Sequence, residues 1–293
     1  PERHRDEYAK FAGLPWEETV RYLAAYRANL GRMRRAAEER GIGVVLCTPV
    51  YNRFAAPFES TLPMETSERV RSEFTALRTR IEATLPAFVR HLSPDEGWQH
   101  VFHFDWVRER GERAPADLPG RRVLHGALAG VDGLLPRPKR EARDAYAALE
   151  RVLHGTDDPA ERAALARCEP LLTSALALVP HHPRTLFELG LVRLALRSGV
   201  DDSGLAARAL ELAGALDRAP RRASRATTEL VRAAAREPMG SATVLLDADG
   251  LFAASSPDGL VGFELMIDEC HLSLGGIVAF SAELARVLEG AGR

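Results

Sequence analysis

Apolar residues recur every three to four positions between Trp16 and Arg40, at Val20, Leu23, Tyr26, Leu30, Met33 and Ala37, and Gly41 follows as a stop. That period puts them on one face of an amphipathic helix over 16–40. The next run, Gly43 to Cys47, is wholly apolar and ends at Thr48-Pro49. Its length and its position behind a helix predict a strand buried on both faces of a parallel sheet. Residues 50–63, punctuated by Pro57 and Pro63, read as a loop. A helix is predicted from Ser67 to about Val89, with Ser67 as N-cap and Glu68 in the first turn. The Gly- and Pro-rich stretch 93–138 has no period that orders it, and 139–153 returns to helix.

From Ala160 to Arg236 the pattern is almost entirely helical and repeat-like. One helix closes at Ala175 to Pro180, and His182-Pro183 opens the next through Leu186, Leu189, Gly190 and Leu194. A loop near 198–203 leads to Ala206, Ala207, Leu210 and Ala213, and Asp217 to Pro220 ends that helix. Small and apolar residues at these offsets resemble about one and a half degenerate tetratricopeptide units, too few for a free-standing solenoid. Ala242 to Asp247 reads as a second strand, with turns at Asp249-Gly250 and at Ser256-Pro257-Asp258-Gly259. A loop carrying Asp268 and His271 then opens a final helix over about 277–288.

Composition narrows the classes. A hydrophobic share of 46% with 27% charged residues describes a globular chain, and 293 residues allow one large or two ordinary domains. A net charge of −2 gives no electrostatic case for nucleic acid, and no apolar run is long enough to span a membrane. Basic runs such as Arg32 to Arg35 read as solvated helix faces. The widely spaced Cys47, Cys168 and Cys270 form neither a disulfide framework nor a zinc pattern, which fits a reducing compartment such as the cytoplasm. Residue 1 is Pro and not Met, so the numbered start is expected not to be a translation start.

The candidate chemistry centres on Asp268 and His271. An aspartate three residues before a histidine can turn back to accept the imidazole Nδ1–H, leaving Nε2 as a general base. The structural alternative is that Asp268 caps the last helix region and His271 packs in the loop. A base needs a nucleophile, and none is convincing. Ser203, in Asp-Asp-Ser-Gly, lies between repeat helices and not after a strand, while Ser241 precedes its strand. Cys270 adjoins His271 but is expected to point elsewhere. Asn52 is either a substrate-loop residue or a turn-stabilising one. His100, His103 and Asp105 have a metal-like look, but their alternation with apolar residues points to packing. His181 and His182 are expected to be solvated in an inter-helix turn.

Three segments together resemble the SGNH (GDSL-like) hydrolase superfamily, in a bacterial variety with a helical, repeat-bearing insertion. They are Gly43 to Phe58 with its Asn52 loop, the repeat-like Leu171 to Pro220, and Ser256-Pro257-Asp258-Gly259-Leu260-Val261-Gly262 running into Asp268-Glu269-Cys270-His271. The resemblance implies an α/β fold with a partial flavodoxin-like parallel sheet. Residues 1–63 and 238–293 would form that core, and 64–237 a mainly helical insertion with tetratricopeptide-like hairpins at about 160–236. It further implies serine ester hydrolysis or acyl transfer without cofactor or metal, on a small-molecule, carbohydrate or lipid ester. His271 would be the base and Asp268 its orienting partner. The family's nucleophile and oxyanion blocks precede the first helix seen here and have no counterpart, so the chain is expected to be the C-terminal portion of such an enzyme and inactive alone. The alternative is a non-catalytic module that binds a protein partner through its helical hairpins.

Overall fold

The computed structural model describes residues 16–57, 62–63, 65–92, 140–196, 200–217, 223–238, 243–266 and 270–291. Their regular elements are α1 (Trp16–Glu38), β1 (Val44–Cys47), α2 (Glu68–Thr84), α3 (Ala87–Leu92), α4 (Arg140–His154), α5 (Pro159–Leu178), α6 (Pro183–Leu196), α7 (Val200–Leu216), α8 (Arg225–Arg236), β2 (Thr243–Leu246), α9 (Ala248–Ser255) and α10 (Leu274–Ala291), with a 3₁₀ turn at Pro257–Gly259. The chain is thus mainly helical with a two-stranded parallel sheet among the described residues, which places it broadly in the α/β class. No described helix is long and apolar enough to cross a membrane.

Two compact units emerge. Described residues within 53–92 and 140–217 form a helical unit, and those within 16–52 and 223–291 an α/β unit. In the α/β unit, α1 stops where Gly41 takes φ +64° and the Ile42 N–H returns to the Ala37 carbonyl at 2.9 Å. β1 and β2 then pair in parallel, in register from Val44–Thr243 to Cys47–Leu246. Their connection contains the whole helical unit and α8, because parallel neighbours cannot be joined by a tight turn. Leu46, Val44 and Leu245 pack on Val231, Ala234 and Ala235 of α8 and on Tyr26 and Leu30 of α1. β1 is less enclosed than its apolar run suggested: Leu46 is buried, but Val44 and Val45 are half-buried and Cys47 is exposed.

In the helical unit, α6 is the central element. Eleven of its fourteen residues are buried, and it packs on α3, α4, α5 and α7. Gly190 permits the closest approach, since a Cβ there would stand 2.6 Å from Leu210 Cγ of α7. The single helix predicted over 67–89 is in fact two. Pro86 forces Leu85 into extended backbone (ψ 129°), which ends α2 at Thr84 before α3 begins. Ser67 does cap α2, accepting the Val70 N–H at 3.4 Å. The predicted loop at 198–203 is also shorter, because α7 already begins at Val200 and contains Ser203.

Candidate functional site

The C-terminal ends of β1 and β2 are tied together by side chains that the sequence reading passed over. Thr48, directly after β1, is buried. Its Oγ1 donates to Asp247 Oδ1 at 3.0 Å and accepts the Asp249 N–H at 2.9 Å, while its own N–H extends the ladder to the Leu246 carbonyl. Asp247 follows β2 and caps α9, accepting the Gly250 N–H at 3.2 Å. Asp249-Gly250, predicted as a turn, is therefore the first turn of a short helix. Arg232 of α8 forks onto Asp247 with Nε–Oδ2 at 3.1 Å and Nη2–Oδ1 at 2.8 Å, and also reaches Asp249 Oδ2 at 3.2 Å and Glu229 Oε1 at 2.7 Å. The hydrogen bond to Asp247, opposed by desolvation and assisted by Glu229 and by the carboxylate charges, raises the Arg232 pKa. Partial burial pulls Asp247 upward, but the bonds from Arg232, Gly250 and Thr48 hold its carboxyl below the usual 3.8.

Two loops follow, one directly after β1 and one beyond α9. The first runs through Val50 to Tyr51 and Asn52, and both of those side chains are buried. The second follows α9 and the 3₁₀ turn, and its described residues include Met266, Cys270 and His271. An antiparallel bridge between Met266 and Leu272 pinches its base. Glu264 Oε1 braces the approach by accepting from Ser256 Oγ at 2.5 Å and from the Gly262 N–H at 2.8 Å. Both loops rest on one apolar cluster. Phe252, Val261, Leu265 and Met266 form its buried heart, and Val50 from the first loop and Leu272 from the second pack against it with Phe280 of α10.

His271 stands at the exposed end of the second loop, three residues before α10. Asp268 lies outside the described residues, as do His100, His103, Asp105 and Ser241. Contrary to expectation, the Cys270 thiol does not point away: it is exposed, with Sγ 3.5 Å from His271 Nδ1. Cys168, in contrast, is buried in the helical unit. Desolvation first, then the charge of Glu188 against that of Arg167, pushes its thiol up to about 11. Ser273 caps α10: its Oγ accepts the Gly276 N–H at 3.1 Å and donates to the Glu264 carbonyl at 3.1 Å. The sequence alone equally admits this capping role for Asp268. Ser203, within α7, does not follow a strand.

His182 also departs from its reading. His181 is exposed, but His182 is only 5% exposed. The Asp247 network had one legible signal, an aspartate directly after an apolar run, a residue type favoured at helix N-caps. The link from Arg232 to this network had none, because Asp247 and Asp249 lie 15 and 17 residues away and are brought to it only by the fold. Among the described residues, no three His, Cys, Asp or Glu side chains gather so that they could hold a metal ion.

The arrangement offers an exposed imidazole on a loop whose Leu272 packs on the same apolar cluster as Val50, three residues after β1. In open α/β sheets the C-terminal side of the strands is where ligands are bound. No family model, curated protein or solved structure matches this chain.

Proposed function

We propose that the α/β unit is the base-bearing part of an SGNH-type serine esterase or acyltransferase. The observation that carries this reading is the convergence on one apolar cluster of the Asn52 loop from β1 and the His271 loop that follows β2, at the same end of two parallel neighbours. In this reading β1 and β2 are adjacent strands of a flavodoxin-like sheet, and the helical unit is an insertion, with tetratricopeptide-like hairpins, in their connection. His271 takes the proton of a serine hydroxyl as it attacks the ester carbonyl, then returns it to the leaving alcohol. Asp268 holds the imidazole tautomer and stabilises the imidazolium, and Asn52 belongs to the loop on the substrate side. Among the described residues no serine follows a strand as a nucleophile block, so on this reading the chain by itself leaves an ester intact.

The test is to express the chain with whatever in-frame coding sequence precedes Pro1 and to assay a short-chain p-nitrophenyl ester. The expected result is hydrolysis by the longer product, a loss of about 10⁴-fold in kcat on His271→Ala, and no hydrolysis by residues 1–293 alone. An unchanged kcat in the His271→Ala protein would overturn the assignment of the base. Turnover by residues 1–293 that depends on His271 would overturn the claim that the nucleophile lies elsewhere.

A further inference from the structure

His182 precedes Pro183 at the head of α6. Its ring lies tilted against Phe74 of α2, with centroids 4.8 Å apart. Its Nδ1 stands 3.2 Å from the backbone nitrogen of Thr185 and 2.8 Å from Thr185 Oγ1. A backbone N–H can only donate, so Nδ1 must present its lone pair and the ring proton must sit on Nε2. The imidazole thus satisfies a first-turn N–H that α6 cannot satisfy internally. Ser67, Asp158 and Ser224 do the same for α2, α5 and α8 with side-chain oxygens, which go on accepting in mildly acidic solution. An imidazole stops accepting once it gains a proton. Thr185 is wholly buried, so water cannot replace the lost acceptor unless the turn opens.

We propose that His182 is a proton-sensitive latch: the neutral ring locks the first turn of α6 against α2, and protonation releases that turn and loosens the helical unit. The consequence is large because α6 is mostly buried and packs on α3, α4, α5 and α7. Among the described residues, the charged groups flanking the latch include Arg184 and Glu188 on α6, Arg71, Glu73, Arg78 and Glu82 on α2, and the exposed His181 in the turn. Arg78 and Arg184 both bind Glu188, and Arg71 lies 3.9 Å from Glu68. Arg78 also lies 3.6 Å from Glu82.

The experiment compares thermal unfolding of the full chain and of its His182→Asn variant at about pH 7.5 and about pH 5.5, on either side of the ordinary imidazole range. Asparagine caps through an amide oxygen at both pH values. The wild type should lose at least ~3 °C of Tm on acidification and the variant less than half as much. Equal losses in the two proteins would refute the latch. If the variant does not fold, nitrogen-15 NMR of the wild type decides. The Thr185 amide should lose its exchange protection in step with titration of the His182 ring, and protection that persists through that titration refutes the proposal.

Discussion

At the scale of single residues, Asp247 shows how a strand end becomes a fixed point. One carboxylate caps α9, receives Thr48 from the neighbouring strand end and holds Arg232 of α8. Its pKa lies below 3.8 because desolvation, which raises it, is outweighed by these donors. The sign follows from that depression. The unfolded chain binds the proton more readily, so the contribution is fully present above pH 3.8 and fades as pH falls through the lower folded value. Arg232→Gln is therefore expected to lower stability at neutral pH and to flatten the loss below about pH 4, as read from urea midpoints across the acid range. Solvent reaches 40% of the Asp247 side chain and screens the pair, so the effect is modest. An acid limb unchanged by the substitution would show that other carboxylates govern it. Nothing local in the sequence pairs Arg232 with Asp247, whereas the capping role of Asp247 was readable from its neighbours.

At the scale of elements, the start of α10 depends on the absence of a side chain. A Cβ on Gly276 would stand 2.1 Å from the carbonyl oxygen of Leu265, a backbone atom that cannot turn aside, and one on Gly275 would stand 3.3 Å from that of Glu264. The helix therefore begins at Leu274, three residues before the predicted start, with the two glycines in its first turn. Two consecutive glycines argue against helix on propensity, and close packing overrides that preference here. Gly276→Ala should cost at least ~1–3 kcal/mol through overpacking and displace the segment leading from His271. Gly290, in the same helix, has open space around it, so Gly290→Ala should be neutral or stabilising by up to ~1 kcal/mol. Urea unfolding of the two variants checks both signs, and a tolerated alanine at 276 would mean that α10 can slide away from the loop.

At the scale of the whole molecule, the helical unit has its own polar lock, as the α/β unit has at Thr48 and Asp247. Glu188 of α6, 1% exposed, binds Arg78 of α2 through both its oxygens and receives Arg184 Nε at 3.1 Å. Removing its charge would leave the buried Arg78 guanidinium, among the described residues, with Glu82 alone as a carboxylate partner, 3.6 Å away and half-exposed. Breaking a buried pair from one side costs about 3–5 kcal/mol, so Glu188→Gln is expected to approach the lower figure, with Glu82 as partial compensation. Hydrogen exchange should speed up most in α2 and α6, the helices that the pair joins. Unchanged protection there would mean that apolar packing alone holds them.

What the sequence determined by itself was the set of elements whose residues announce them locally. α1 with its Gly41 stop, α2 with its Ser67 cap, α4, and the succession of helices from 159 to 236 all follow from periodicity and capping chemistry. So do the two apolar strand runs, whose length and β-branched residues mark them as strands, although the fold leaves both only partly covered. The break at Pro86 was also written in the chain, but the continuing apolar period over 67–89 masked it. Tertiary structure alone decided what depends on partners far away in sequence. The pairing of β1 with β2 across almost 200 residues, the fork of Arg232, the burial of His182 and the meeting of the Asn52 and His271 loops on one cluster are of this kind. A histidine in a turn carries no local mark that a phenylalanine from another helix will cover it. The physical reason is the range of the forces: backbone sterics, capping and periodicity act within a few residues, while burial and ion pairing act between whichever residues the fold brings into contact.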